Sequence, residues 1–290
     1  MARLFALVVL LALAAGSHAA EKVLYDKKSA FNQIIVTEDD QGLRVLRFEQ
    51  GGARQTIVKP GDPDYLGFAY TPVAFSGLAL AENPQRFLVV GVGGGTMPMF
   101  LRRRFPQATI DAVEIDPDVL YVAKEFFGLR EDERLRTYAA DGRQFIEAAK
   151  EPYDVIFLDA FGTRNVPPTL TTIEFLTAVK RAVKRGGVVI GNIWGPFTNP
   201  LYDSMVRTYQ EVFDDVYILE VGGTSNRIVL ALPRKQAMHR ADYVTLVSDY
   251  GRRQRFPFDL GDLSKHGFTH LTDKVPEGRV LRDAEIAPRS

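Results

Sequence analysis

An apolar strand that runs straight into a glycine turn and then a helix constrains this chain more than any other feature. Phe87-Leu88-Val89-Val90 carries no polar side chain, as a strand covered on both faces requires, and Gly91-Val92-Gly93-Gly94-Gly95-Thr96 follows at once. Glycines at such a junction permit a tight turn, let a ligand approach the backbone and leave the amide donors of the helix start free. The same glycines also serve a strand-to-helix turn that binds nothing. Beyond the turn, strands and helices alternate: helix 97–104, strand 109–114, helix 119–127, strand 135–140, helix 142–150, strand 153–158, helix 173–184, strand 187–193 and helix 202–212. That order predicts a mostly parallel sheet covered on both faces. Strands 215–221 and 226–232 are joined only by Gly222-Gly223-Thr224-Ser225, which suits an antiparallel hairpin and is too short for a parallel crossover.

Before the alternation begins, residues 22–59 read as short β-rich runs such as Asn32-Gln33-Ile34-Ile35-Val36 and Leu43-Arg44-Val45-Leu46-Arg47-Phe48, separated by Asp39-Asp40-Gln41-Gly42 and Gln50-Gly51-Gly52. They predict a small antiparallel β domain, followed by a helix near 72–82 that Asn83-Pro84 stops. After Ala237 the tail is polar, glycine-containing and poorly patterned. At the other end, Met1-Ala2-Arg3, an apolar run over 4–15 and Gly16-Ser17-His18-Ala19-Ala20 match an export signal cut after Ala19; the run is too short to span a bilayer. Cleavage implies a periplasmic or secreted protein, and an uncleaved signal a cytoplasmic or membrane-tethered one.

Acidic residues then recur at strand ends. Glu114 closes the strand after the glycine turn, 23 residues beyond Gly91, where a carboxylate can accept both hydroxyls of a ribose. Asp141 ends the next strand, as a ligand acceptor or as the N-cap of the helix that begins at Gly142. Asp159 ends the strand after that, and a cleft carboxylate there is a natural general base. Ligands of open α/β sheets gather at the carboxyl ends of the strands, so these groups are expected around one crevice. Asp116-Pro117, by contrast, reads as an N-cap with proline in the first turn.

Together with Val113-Glu114-Ile115-Asp116, Ala140-Asp141-Gly142 and Asp154-Val155-Ile156-Phe157-Leu158-Asp159, the glycine loop resembles the polyamine aminopropyltransferases, the spermidine synthases. Ser29-Ala30-Phe31-Asn32-Gln33-Ile34 is similar to a segment of that family's N-terminal β domain, so the resemblance runs over 23–232. It implies the Rossmann-like fold of class I S-adenosylmethionine-dependent methyltransferases: a mostly parallel seven-stranded α/β sheet with an antiparallel terminal hairpin, beside a small N-terminal β domain. The division expected for the whole chain is a signal peptide over 1–19, the β domain over 20–62, an adenosyl-binding domain over 63–235 and a C-terminal extension over 236–290.

The same resemblance implies donor contacts from Gly91, Gly93, Gly94 and Gly142, from Asn32 in place of a family glutamine, from Glu114 to the ribose and from Asp141 to the adenine. Asp159 would take a proton from the attacking amine. The donor is then decarboxylated S-adenosylmethionine or S-adenosylmethionine, the acceptor a small-molecule amine, and the assembly a dimer or tetramer. Gly94 stands where the family carries an acid, Gly162 where it carries a second one, and Thr71-Pro72 follows Tyr70 where it has His-Glu. Each absent carboxylate removes a charge-assisted hydrogen bond of roughly 1.5 to 3 kcal/mol to a diamine. Methyl transfer on the same scaffold, and a secreted nucleoside-binding protein without catalysis, remain open alternatives.

Acidic and basic residues balance at 36 each, which gives no basic field for nucleic acid, and the absence of cysteine removes disulfides and thiolate chemistry. His266 and His270 have a spacing that suits a metal on a helix, but Gly267 places them in a loop, and no metal is expected. Trp194 either walls the pocket or packs.

Overall fold

The computed structural model describes residues 21–162, 165–265, 267–275 and 277–286. The expected signal peptide with its cut after Ala19, and His266, lie outside the described residues. The first sheet contains β1 (Lys22–Lys28), β2 (Gln33–Glu38), β3 (Arg44–Arg47) and β4 (Arg54–Val58), all antiparallel and in that order. Its β2–β3 turn is fixed by Asp39, whose carboxylate accepts from the amides of Gln41 and Leu43, and by Gly42 at φ 75°.

The second sheet is built from β5 (Arg86–Val90), β6 (Thr109–Glu114), β7 (Leu135–Ala139), β8 (Tyr153–Leu158), β9 (Val183–Trp194), β10 (Asp215–Glu220), β11 (Asn226–Leu232) and β12 (Thr269–His270), in the spatial order β12-β10-β11-β9-β8-β5-β6-β7. The five strands β5 to β9 run parallel, and β11 joins antiparallel to β9 as the hairpin partner of β10. The period of two divides the layers. Phe87 and Val89 of β5 belong to one core cluster, while Leu88 and Val90 face the other.

Helices α1 (Tyr70–Ser76), α2 (Thr96–Arg104), α3 (Pro117–Phe126), α4 (Gly142–Glu147), α5 (Ile173–Ala182), α6 (Tyr202–Val212) and α7 (Arg240–Arg253) cover the sheet. The expected N-cap at Asp116 is present, its side chain accepting from the Asp118 amide. Val119 and Val122 of α3 pack on Ile34, Val36 and Leu46, so this helix carries the small β domain.

Three expectations are corrected. The sheet has eight strands and not seven, because the two-residue β12 pairs with β10, too short a strand to leave a pattern in the sequence. His270 in β12 stacks on Tyr217 with ring centroids 4.6 Å apart, and its Nε2 lies 2.5 Å from Asp215. The tail after Ala237 is not unpatterned: α7 buries Tyr243, Val247 and Tyr250 at helical spacing, and the Tyr243 hydroxyl lies 2.8 Å from Ser76 Oγ. The helix expected over 72–82 is shorter, α1 giving way to a 3-10 turn over Gly77–Leu80. Among the described residues no helix is long and apolar enough to cross a membrane.

Candidate functional site

The carboxyl edge of the parallel strands opens onto a cavity of about 360 Å³. Gly91, Gly93, Glu114, Asp141, Gly142 and Asp159 line it from the sheet side, and Asn32 from the β domain. Gly91 has φ 90°, and a Cβ there would overlap the Asp159 carbonyl oxygen, so glycine alone lets β5 turn beside the end of β8.

Glu114 is almost fully buried, with Oε2 accepting from the amides of Val92 at 3.0 Å and Gly93 at 3.4 Å and Oε1 from Asp116 at 3.3 Å. Burial pushes its pKa up, against the pull of those amides. Asp141 is the N-cap of α4, Oδ1 accepting from Arg143 at 2.8 Å and Gln144 at 3.1 Å, and it lines the cavity as well. The two readings of Asp141 are therefore compatible.

Asp159 differs from both. Tyr70, at the start of α1, donates its hydroxyl to Oδ2 at 2.8 Å, and Asn192 of β9 donates Nδ2 to Oδ1 at 2.9 Å. Asn192 is in turn held by Asn226 Nδ2 at 2.9 Å, across the β9–β11 pair. Burial pushes the Asp159 carboxyl up to about 6, and these two neutral donors only partly offset it. Tyr70 is pushed well above its usual 10, first by burial and then by the Asp159 charge, so the phenol keeps its proton and donates.

Gly94 is a correction. It is buried behind the loop and does not line the cavity; its amide donates to Thr56 Oγ1 at 2.8 Å. A Cβ there would meet Thr56 Cγ2 at 2.5 Å and the Phe127 ring at 2.9 Å. Trp194 packs, its ring 5.6 Å from Phe161, and Phe161 is the one that walls the cavity.

Sequence reasoning passed over Asn192, Asn226, Thr56 and Gln55. Asn192 had left a signal, as a buried polar residue inside the apolar run of β9. Thr56 and Gln55 reach the cavity from β4, and nothing in their local sequence marks them.

The spermine/spermidine synthase domain matches residues 69–220. The polyamine aminopropyltransferase of Vibrio vulnificus is 33% identical over 248 residues, 82% of each chain. This chain belongs to the spermine/spermidine synthase family. A probable spermidine synthase from Corynebacterium glutamicum superposes with a TM-score of 0.70 over 89% of this chain and 96% of its own, at 18% identity, a likeness of fold. Human methyltransferase-like protein 13, solved in complex with SAH, superposes with a TM-score of 0.60 at 30% identity, over 66% of this chain and 94% of that one. The family resemblance read from the motifs is thus correct, and in this member the loop position of Gly94 is closed by Thr56 and Phe127.

Proposed function

We propose that the cavity binds an adenosyl sulfonium donor and directs transfer of its alkyl group to an amine, with Asp159 as the general base. One observation carries this reading: among the described residues the cavity wall holds three carboxylates, Glu114, Asp141 and Asp159, and no lysine, arginine or histidine. Both reactants are cationic before the reaction, a sulfonium and an ammonium, and such a wall favours them over neutral or anionic ligands. The residues also fit the nucleoside. Glu114 Oε1, which accepts from one amide, keeps a lone pair for a ribose hydroxyl, and Oδ2 of Asp141 is left clear of the cap bonds that engage Oδ1.

A bound sulfonium supplies an electrophilic carbon and departs as a neutral thioether. The protein's part is alignment and proton removal. Asp159, ionised near neutrality, takes the proton of the amine whose lone pair forms the new C–N bond, while the C–S electron pair stays on sulfur. Tyr70 and Asn192 hold the carboxylate from its two oxygens and keep a lone pair of each free toward the cavity.

Methyl transfer is the second reading, and Gly94 favours it. With that position sealed, no side chain there can pair with an ammonium at the end of an aminopropyl group. Likeness to human methyltransferase-like protein 13 supports the same direction. Calorimetric titration with S-adenosylmethionine, its decarboxylated form and methylthioadenosine tests the reading: binding of one of the donors is expected, with its thioether nucleoside released once a primary amine is added, and the absence of heat with all three removes it.

A further inference from the structure

The charges of the cavity are unevenly placed, and their placement selects among amine acceptors, provided the proposed alkyl transfer holds. In the order β8-β5-β6-β7, Asp159 follows β8, whereas Glu114 ends β6 and Asp141 follows β7. At about 4.8 Å per strand, Asp159 stands roughly 10 Å from the β6 end and roughly 14 Å from the β7 end. Tyr70 bonds Asp159, and the cavity-lining residues on either side of these two in the chain, Phe68, Thr71, Phe161 and Gly162, are uncharged, as is every other described lining residue except Glu114 and Asp141. Phe68 stacks on Tyr70 with centroids 5.7 Å apart, which makes the lining beside Tyr70 aromatic.

Gly162 shows that the missing charge is not a matter of space. It lies three residues beyond Asp159 on the same cavity, and among the described residues a Cβ built on it meets nothing closer than the Asn165 carbonyl oxygen at 3.6 Å. A side chain would fit there, in contrast to Gly94.

We infer that the acceptor is a monoamine: its single cationic nitrogen is the one that reacts, and its body is apolar. Asp159 pairs with that nitrogen. A diamine would bring a second ammonium against Phe68, Tyr70 and Phe161, where it would lose hydration without gaining a carboxylate. An apolar body buries against the same rings favourably.

The test compares n-butylamine with 1,4-diaminobutane, using S-adenosylmethionine and decarboxylated S-adenosylmethionine in turn as donors and following the thioether nucleoside. The expected kcat/KM is at least about tenfold higher for n-butylamine, the discrimination of one charge-assisted hydrogen bond. Gly162→Asp should shift the ratio toward the diamine by about tenfold or more, and the equally large but uncharged Gly162→Asn should leave it in place. Equal or preferred use of the diamine by the wild type, or a ratio that Gly162→Asp does not move, overturns the inference. Titration with S-adenosylhomocysteine separates the two levels. Nucleoside binding with diamine preference overturns the acceptor class alone, whereas no nucleoside binding, or binding with neither amine alkylated, overturns the transferase reading and the acceptor class together.

Discussion

Asp159→Asn should make the protein more stable at neutral pH while removing its activity. The side chains are nearly the same size. Asn192 Nδ2 goes on donating to Oδ1, and the Tyr70 hydroxyl, which now donates at 2.8 Å, turns to accept from the new amide. What the substitution removes is a largely shielded charge with no cationic partner among the described residues. Burial moves the carboxyl from its ordinary 3.8 to about 6, which at about 1.4 kcal/mol per pH unit is a penalty of about 3 kcal/mol once Asp159 is ionised in the fold. The sign follows from proton counting. With its folded pKa above the unfolded one, Asp159 holds its proton more tightly in the native state, so its contribution is favourable below pH 3.8, declines as pH rises to about 6 and is flat beyond. Urea denaturation of both proteins between pH 3.5 and pH 8 reads this directly. Asn should match the wild type at the acid end and exceed it by up to about 3 kcal/mol above pH 7, while turnover falls by roughly 10² to 10⁴. A difference that does not change with pH, or a variant less stable than the wild type at pH 8, would refute the account of the site.

In pH–rate profiles, log(kcat/KM) should lose an additional unit of slope below about pH 6 as Asp159 takes its proton, and Asn192→Ala, which removes a donor that lowers this pKa, should move that break to higher pH; a break in the same place would discount the Asn192 contact. Gly94→Ala forces a methyl group against Thr56 Cγ2 and the Phe127 ring and should destabilise by about 1 to 3 kcal/mol, whereas Gly162→Ala, with 3.6 Å of clearance, should be near neutral in the same thermal melts. For the export signal, which we propose from residues 1–19, mass spectrometry of the protein recovered from the native host's envelope or medium should find a chain beginning at Ala20, and recovery of the intact Met1 chain from the cytosol would count against it.

The strand ends were legible in the sequence because the forces that set them are local. An apolar run such as Phe87-Leu88-Val89-Val90 has to be covered on both faces, the glycines after it have to turn, and the alternation of periods two and 3.6 carries the layer order with it. Gly91, Glu114, Asp141 and Asp159 therefore come together as their spacing implied. Gly94 was misplaced because what closes over that loop position depends on Thr56 and Phe127, distant in sequence. Helix α7 was missed for a related reason: Tyr243, Val247 and Tyr250 lie among charged residues, and only the core cluster they join shows that they are a buried stripe.

The distinction that matters most for chemistry was the least legible. Asp154, Asp159 and Asp215 are aspartates at the ends of strands, and all three are shielded from solvent to different degrees. Asp154 accepts from the amides of Gln85 and Arg86 and pairs with Lys184 at 2.8 Å. Burial would raise Asp215, but Tyr217, the amides of Ala237 and Gln236 and His270 outweigh it and hold it below the ordinary range. Both are satisfied as anions by the fold itself. Asp159 receives two neutral side-chain donors and, among the described residues, no backbone amide or cation, so its charge is left for something that enters the cavity. A carboxylate held by neutral donors alone is destabilising until a cation arrives, and that is the condition under which it binds an ammonium and then accepts its proton. These partners come from α1 and β9, 89 residues before Asp159 and 33 after it, which is why the sequence around Asp159 names the acid but not its role.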